Sequence, residues 1–182
     1  MPWPAIVGTS YAADWDIAQL MQELAQTRSG HASFVEKKSI AMLDKPVESS
    51  GELFFTAPAH LEKRTLKPKP ETMILDNGTL VIERGRQKHT LQMQDYPELE
   101  VFIDSIRSTL AGDREALERN YQLSLDGKSQ NWTLQLIPAD KKLQAVVQRI
   151  RITGSRNLVS RIEIIQADGD SSVMSIEKLD TP

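Results

Sequence analysis

The stretch Met73-Ile74-Leu75-Asp76-Asn77-Gly78-Thr79-Leu80-Val81-Ile82 decides the fold of this chain. Asn-Gly between two short apolar runs favours a type I′ hairpin turn, because that turn needs positive φ at both central residues. The flanking runs consist of aliphatic and β-branched residues, which are typical of strands. The stretch therefore predicts an antiparallel hairpin with strands over 73–75 and 80–82.

Similar short runs extend from this hairpin in both directions, and Pro, Gly, Asn or Asp bounds most of them. We predict strands over residues 51–55, 61–66 and 90–94, around Leu123/Leu125 and Trp132/Leu134/Leu136, and over 146–152, 158–165 and 173–176. Turns are expected at Asp126-Gly127, Gly154-Ser155 and Asp168-Gly169, with Pro138 ending the strand before it. Consecutive strands joined by tight turns favour an antiparallel meander over a parallel sheet.

Two segments have helical rather than strand periodicity. The first predicts a helix near residues 14–27 with Asp14 as its N-cap, because four apolar residues follow at i, i+3, i+4 and i+7: Ile17, Leu20, Met21 and Leu24. The second begins at a capping-box-like pair, Asp95 and Glu98, and ends at Gly112; Asp113 then caps a short third helix. Its apolar face is Leu99, Phe102, Ile103, Ile106 and Leu110.

The alternation along the strands predicts a sheet with one polar and one apolar face. Polar residues that lie between apolar neighbours define the wet face: Gln92, Gln94, Ser124, Gln135, Arg151, Thr153, Arg161 and Glu163. The two amphipathic helices are available to cover the other face. Because nine or more curved strands offer more area than so little helix can fill, this arrangement permits a cavity.

Composition excludes several classes of protein. The 182 residues carry 22 Lys+Arg against 25 Asp+Glu, a net charge of −3, and ten of them are aromatic. Nucleic-acid binding normally needs a cationic surplus and stacking platforms, so we expect no nucleic-acid partner. No cysteine is present, which removes thiol catalysis, disulfides and an acylated N-terminal cysteine. Apolar runs stay far below the ~18–20 residues of a membrane-spanning helix.

Motifs for catalysis or metal binding are missing from the sequence. His31, His60 and His89 are scattered without a ligand spacing, so surface or strand-edge positions are expected for them. The carboxylate pairs Asp14/Asp16 and Asp168/Asp170 are explained by a helix start and a turn. We therefore predict no enzyme, no cofactor and no metal site, with an unrecognised carboxylate site as a remote alternative.

A basic cluster, Lys63-Arg64 followed by Lys67-Pro68-Lys69-Pro70, has two interpretations. In the first, it is a solvated sheet edge on which proline blocks further strand pairing. In the second, it is a rim that attracts acidic headgroups or a transporter partner.

Three stretches resemble the periplasmic outer-membrane lipoprotein carrier (LolA-like) family: His31-Ala32-Ser33-Phe34-Val35-Glu36-Lys37, Gly51-Glu52-Leu53-Phe54-Phe55-Thr56-Ala57-Pro58 and Leu75-Asp76-Asn77-Gly78-Thr79-Leu80. The family pattern is Phe-x-Gln, then Gly-x-Leu ending in Arg-Pro, then an Asp-Gly-type turn. The resemblance runs from about Asp14 to Leu179. It implies an α+β, mainly β fold: an incomplete antiparallel β-barrel of about 9–11 strands, with helices as a lid over a hydrophobic cavity for acyl chains.

The chain departs from the family at two positions. Glu36 replaces the family's Gln, and Ala57 stands at the latch position, where the family's Arg holds the lid over the empty cavity. We therefore expect a divergent member whose cargo is a lipoprotein or another lipid.

Strand parity predicts which residues line the cavity. If Leu53 and Phe55 face inward, the other members of the set follow: Met73, Leu75, Leu80, Ile82, Leu91, Met93, Leu134, Leu136, Ile150 and Ile152, with Phe102, Ile103 and Ile106 on the lid. The alternative is that these residues fill a dry core.

The resulting functional hypothesis is a monomeric periplasmic carrier that moves lipoprotein acyl chains or another lipid from the inner to the outer membrane. The resemblance implies an inner-membrane transporter and an outer-membrane acceptor as partners, and the missing cysteine favours a carrier over an anchored acceptor. The alternative is a periplasmic sensor or scaffold domain of the same fold that binds a protein segment. Residues 1–13 are interpreted as a tail or leader remnant, and 14–182 as a single half-barrel domain.

Overall fold

The computed structural model describes residues 15–179, apart from the side chains of residues 97–99 and 102. In this range the helices are α1 (Ile17–Ala25), α2 (Pro97–Ala111), α3 (Arg114–Glu118) and α4 (Lys141–Gln144), and a 3-10 turn spans Met93–Asp95. The strands are β1 (Ser29–Ser39), β2 (Val47–Thr56), β3 (His60–Lys67), β4 (Glu71–Asp76), β5 (Thr79–Arg84), β6 (Gln87–Gln92), β7 (Tyr121–Lys128), β8 (Asn131–Pro138), β9 (Val147–Ser155), β10 (Leu158–Gln166) and β11 (Ser171–Lys178). Residues 1–13, the predicted tail or leader remnant, and Asp14 lie outside the described residues.

All eleven described strands form one curved antiparallel sheet in the order β6-β5-β4-β3-β2-β1-β11-β10-β9-β8-β7. Two meanders, β1–β6 and β7–β11, are joined where β1 pairs with β11. Because β6 and β7 stand at opposite ends of the sheet, the barrel does not close. This confirms the predicted mainly β fold, an incomplete antiparallel barrel with helices.

The Asn77-Gly78 hairpin forms as predicted. Asn77 and Gly78 have φ of 46° and 83°, and Leu75 pairs with Leu80 across the turn. Both central residues therefore adopt the positive φ that a type I′ turn requires.

Helix α1 begins later than predicted, and its cap is Asp16. The Asp16 carboxylate accepts a 2.9 Å hydrogen bond from the backbone N–H of Gln19, and the Gln19 side chain accepts one from the backbone of Asp16. This reciprocal capping box satisfies two backbone donors at the helix start, which explains why the helix begins at Ile17.

Helix α2 does not start with the predicted Asp95/Glu98 box. Asp95 lies in the 3-10 turn, the N-cap is Tyr96 without a side-chain cap bond, and Pro97 occupies the first helical position. Proline suits that position because its φ is already helical and it lacks the N–H that would go unpaired. The side chain of Glu98 lies outside the described residues. Gly112 ends the helix with φ of 69°, and the carboxylate of Asp113 caps α3, both as predicted.

Three predicted strand limits are wrong. The strand predicted over 90–94 ends at Gln92, and Met93 begins the 3-10 turn. Strands β7 and β9 continue through the glycines expected to be turns, so Gly127 and Gly154 both lie opposite Trp132 in the ladder. Neither glycine leaves room for a Cβ: at Gly127 it would overlap the Asn131 carbonyl, and at Gly154 the Leu158 carbonyl and the Trp132 ring. Close approach of the neighbouring strand therefore requires glycine at both positions.

The basic cluster is not at a sheet edge, so that interpretation is wrong. Strand β3 lies between β2 and β4. Pro68 and Pro70 fall in the turn after β3 ends at Lys67, where they interrupt no ladder hydrogen bond.

The interior consists of two separate apolar clusters. The larger one packs α1, α3 and α4 against β7–β10 around Trp132, which is fully buried. The smaller one is formed by Leu75, Leu80 and Met93. No helix in the described part of the chain is long and apolar enough to cross a membrane.

Candidate functional site

The ladder registers place the predicted cavity residues of the strands on one face of the sheet, which we call the inner face. Directly paired residues of an antiparallel ladder point to the same side. The pairs that trace this face across the sheet are Leu80↔Leu91, Leu75↔Leu80, Leu61↔Leu75, Phe55↔Leu61, Ala32↔Leu53, Phe34↔Ile176, Ile162↔Ile152, Leu134↔Ile152 and Leu136↔Ile150. Met93 lies in the 3-10 turn, yet it is buried against the same face.

Four of the predicted cavity residues lie in a solid core. Leu134, Leu136, Ile150 and Ile152 are at most 1% exposed, and their cluster includes Leu20 and Leu24 of α1 as well as residues of α3 and α4. Protein side chains therefore fill the inner face of β7–β10.

The other half of the inner face is less covered. Five of its apolar side chains are only half-buried, and we call them the open apolar face: Leu53, Leu61, Met73, Ile82 and Leu91. Phe55, Leu75 and Leu80 beneath them are buried. Helix α2 is the helix that reaches this half, and its closest backbone contacts are with α1, α3, α4 and the 3-10 turn.

Helix α2 bridges the two clusters. Ile103, predicted as a lid residue, packs against the cluster of Leu75, Leu80 and Met93, whereas the lid residue Ile106 packs against the larger core. The side chain of Phe102, the third predicted lid residue, lies outside the described residues. At the C-terminal end of α2, a Cβ on Gly112 would overlap the backbone of α1. The two helices are therefore in close contact at that end.

A small cavity of about 80 Å³ lies between α2 and the β4–β5 hairpin. Leu75, Met93 and Ile103 form its apolar wall, and Glu100, Asp104 and Arg107 of α2 line its polar side. The cavity is thus amphipathic and sits next to the open apolar face.

Arg107 ties α2 to the sheet. Its Nη1 donates a 2.8 Å hydrogen bond to the carbonyl oxygen of Pro58, and its Nε donates a 2.7 Å bond to Asp104. Ala57, the latch position of the resemblance, directly precedes this proline. Sequence reasoning missed Arg107, because a single polar residue in a helix carries no signal of its partner across 49 positions.

An ionic group lies at one end of the open apolar face. Lys63 Nζ is 3.4 Å from the Glu36 carboxylate and 5.2 Å from the centre of the Phe34 ring, and both charged side chains face inward. Nearby, Arg84 contacts Glu71. These ion pairs, of which that of Lys63 and Glu36 is half-buried, give the apolar surface a polar end.

Tyr121 lies buried beneath α2. Burial raises the pKa of its phenol; the neighbouring Ser105 side chain opposes this shift, and the charge of Asp104 adds to it. The residue joins β7 to the helix.

The histidines lie on strands, and the residues that line the cavity do not include them. His31 stacks on Phe54 with 4.4 Å between ring centres, and its Nε2 is 3.1 Å from Glu52. The Nδ1 atom of His60 lies 3.7 Å from the carboxylate of Asp76, and His89 is exposed on β6. Within residues 15–179, no three His, Asp or Glu side chains converge as a metal site would require.

A family model described as outer membrane lipoprotein carrier protein LolA-like matches residues 9–176. The chain belongs to this LolA-like family. Its members are described as carriers of outer-membrane lipoproteins rather than as enzymes. No curated protein sequence matches the chain significantly.

Several solved structures are similar to this chain at low sequence identity. The MucA/MucB complex of Pseudomonas aeruginosa is 15% identical, with a TM-score of 0.53, over 92% of this chain and 58% of the other. A LolA superfamily protein of Nitrosomonas europaea is 11% identical, with a TM-score of 0.48, over 91% and 93% of the two chains. The Mycobacterium tuberculosis lipoprotein LppX is 8% identical, with a TM-score of 0.48, over 91% and 96%.

Proposed function

We propose that this LolA-like protein is a non-enzymatic carrier that binds the acyl chains of a lipoprotein or another lipid on its open apolar face. We further propose that it acts in the periplasm, takes cargo from an inner-membrane transporter and delivers it to an outer-membrane acceptor. The family description supports lipoprotein carriage.

This proposal rests on the unequal burial of the apolar side chains on the two halves of the inner face. Side chains such as Leu134 and Ile150 are completely buried, whereas Met73 and Ile82, on the same face, are left half-buried. Contiguous apolar surface that a monomer leaves exposed usually marks a binding site. An apolar ligand over β2–β6 would complete the cover that α1, α3 and α4 supply elsewhere.

The energetics suit an acyl chain. Each methylene group removed from water contributes about 0.8 kcal/mol, so a dozen carbons contribute about 10 kcal/mol before the costs of ordering. Such binding needs no covalent step and no specific polar contact. The ion pair of Lys63 and Glu36 lies where a polar headgroup would leave the apolar surface.

Entry of an acyl chain into the cavity next to the open apolar face requires α2 to move. The cavity beside Ile103 holds about 80 Å³, whereas ligand pockets usually measure about 300–1,000 Å³. The C-terminal end of α2 is held against α1 at Gly112, so the half of the helix nearer the 3-10 turn would swing away from β4–β6. The bond between Arg107 and Pro58 holds the closed position.

Native mass spectrometry and displacement of a fluorescent fatty acid test this proposal. We expect co-purifying lipid, and we expect the Ile82→Asn variant to take up the fluorescent fatty acid at least tenfold more weakly, because the amide would have to be desolvated on the binding face. The matched control is Val81→Asn, on the same strand but the opposite face. Lipid-free protein that takes up no fatty acid, or equal uptake by both variants, would exclude the carrier function.

A second candidate, binding of a protein segment on the same face, is favoured by the edge of the sheet. Strand β6 pairs with β5 only and ends the sheet beside Leu91 of the open apolar face. An extended segment could add to this edge by backbone hydrogen bonds. Folded protein that is free of lipid and takes up no fluorescent fatty acid would favour this candidate over the carrier.

A further inference from the structure

Three turns of the N-terminal meander lie together at one end of the sheet. The registers Lys38↔Val47, Ser50↔Lys67 and Arg84↔Gln87 place the β1–β2 loop, the β3–β4 turn and the β5–β6 turn side by side. We call residues 37–48, 66–71 and 83–88 the turn end. It is separate from the open apolar face, with which it shares no residue.

The turn end exposes large apolar side chains. Of the eight most exposed large hydrophobic residues in the described chain, four lie here: Met42 at 93%, Leu43 at 53%, Leu66 at 51% and Val47 at 44%. The β1–β2 loop is held in a turn, because the Leu43 N–H donates to the Ile40 carbonyl over 2.9 Å and the Ala41 N–H donates to Asp170 over 3.0 Å. Met42 stands at the outer point of this turn.

The turn end is also cationic. It holds eight Lys or Arg residues and four Asp or Glu residues, a net charge of +4, whereas the whole chain carries −3, so the remainder carries −7. The cations are Lys37, Lys38, Lys45, Lys67, Lys69, Arg84, Arg86 and Lys88, and of these Arg84 is paired with Glu71. Asp168 and Asp170 of the β10–β11 turn border the region on one side, where Asp170 holds the loop.

We propose that the turn end docks onto the surface of a bilayer rich in anionic phospholipid. Met42 and Leu43 insert at the boundary between headgroups and acyl chains, and the surrounding lysines and arginines attract the lipid phosphates. Peripheral membrane binding in general combines these two contributions, apolar insertion and attraction between basic residues and anionic lipid.

The composition of the turn end favours a bilayer over a protein partner. Six of its eight cations are lysines, and it contains no aromatic residue. Protein interfaces are enriched in aromatic residues, Met and Arg and depleted in Lys. Flexible point charges around a projecting aliphatic loop instead match a fluid surface of phosphates.

Docking also places one end of the open apolar face near the membrane, because Met73 and Ile82 each lie two residues from the strand ends at Glu71 and Arg84. Bilayer docking does not require that this face hold a lipid. The two properties can therefore be measured separately.

Vesicle flotation with the full chain tests the inference. Phosphatidylcholine vesicles with phosphatidylglycerol should bind the protein at least tenfold more tightly than vesicles of phosphatidylcholine alone, and high salt should release it. We expect Lys67→Gln/Lys69→Gln to weaken binding about fivefold per lysine. Met42→Ser/Leu43→Ser should weaken it tenfold or more, because two apolar side chains no longer insert.

The matched control is Lys128→Gln/Leu158→Ser, which changes one exposed lysine and one exposed leucine at the opposite end of the sheet. This variant should bind vesicles like the unaltered protein. Fatty-acid uptake in solution should be the same for all of these variants, which separates a failure of docking from a failure of lipid carriage. No binding to anionic vesicles at low salt, or equal binding by the turn-end variants and the control, would overturn the inference, as would recognition of a protein partner by this end without any vesicle binding.

Discussion

The guanidinium of Arg107 on α2 donates a 2.8 Å hydrogen bond to the carbonyl oxygen of Pro58 in the β2–β3 turn. Asp104, one helical turn earlier, accepts a 2.7 Å bond from the same guanidinium and orients it. In the resemblance described above, the arginine stands before the proline, where this chain has Ala57. In this chain the donor lies on α2, and the contact joins that helix to the β2–β3 turn.

Removal of this contact should loosen the attachment of α2 to the sheet. We expect Arg107→Met to take up a fluorescent fatty acid about fivefold faster, because a hydrogen bond of about 1 kcal/mol no longer holds α2 in place. Stopped-flow fluorescence measures the rate. The control is Arg114→Met, which removes an exposed helical arginine paired with Glu118. An uptake rate for Arg107→Met equal to that of the control would show that the bond does not restrain α2.

The two halves of the inner face should respond differently to truncation. Leu134→Ala should reduce the free energy of unfolding by about 2–5 kcal/mol, because it opens a cavity in a solid core, but uptake by the folded fraction should not change. Met73→Ala should cost less stability, since Met73 is only half-buried, and should weaken fatty-acid binding. Urea unfolding and fluorescence titration measure the two effects. A loss of binding in Leu134→Ala alone would place the site in the other half.

Close packing of Trp132 against glycine should make one position intolerant of a methyl group. A Cβ on Gly154 would overlap the Leu158 carbonyl and the Trp132 ring. We therefore expect Gly154→Ala to lower the free energy of unfolding by about 1–3 kcal/mol, as overpacking usually does. Gly30→Ala is the control, because no atom lies within 4 Å of its added Cβ. Equal stability of both variants in urea would contradict this packing.

Buried Tyr121 should make the protein sensitive to alkali. Because burial raises its pKa in the folded state, the unfolded chain loses its proton first as the pH passes about 10. The contribution of this group to the free energy of unfolding is fully present below that pH. It is lost as the pH rises toward the pKa of the phenol in the folded state, with a slope of at most about 1.4 kcal/mol per pH unit. The urea concentration at which half of the protein is unfolded should fall less between about pH 8 and 11 for Tyr121→Phe than for the unaltered protein.

The control for this measurement is Tyr96→Phe, since Tyr96 is 47% exposed. Its midpoints should follow those of the unaltered protein across the same range. If the midpoints of Tyr121→Phe also equalled those of the unaltered protein, the phenol would make no contribution to the loss of stability at alkaline pH.

Local chemistry explains why most elements could be predicted. The Asn77-Gly78 turn needs only two residues with positive φ, and Gly112 ends α2 for the same reason. Some errors were local, as at the caps of α1 and α2, and others arose where a distant residue decided the outcome. Gly154 has the composition of a turn, but the ring of Trp132 lies against it across the ladder and leaves no room for a Cβ.

Sequence alternation by itself determined which side chains share the inner face, because parity in a strand depends only on residue spacing. It did not determine which part of that face is filled. Leu134 and Met73 have equivalent patterns, yet α1, α3 and α4 pack over the first and leave the second half-buried. Only the tertiary structure decided this, because the strand pattern does not encode where the helices pack against the sheet. The bond from Arg107 to Pro58 has the same origin, since it spans 49 positions that no local pattern connects.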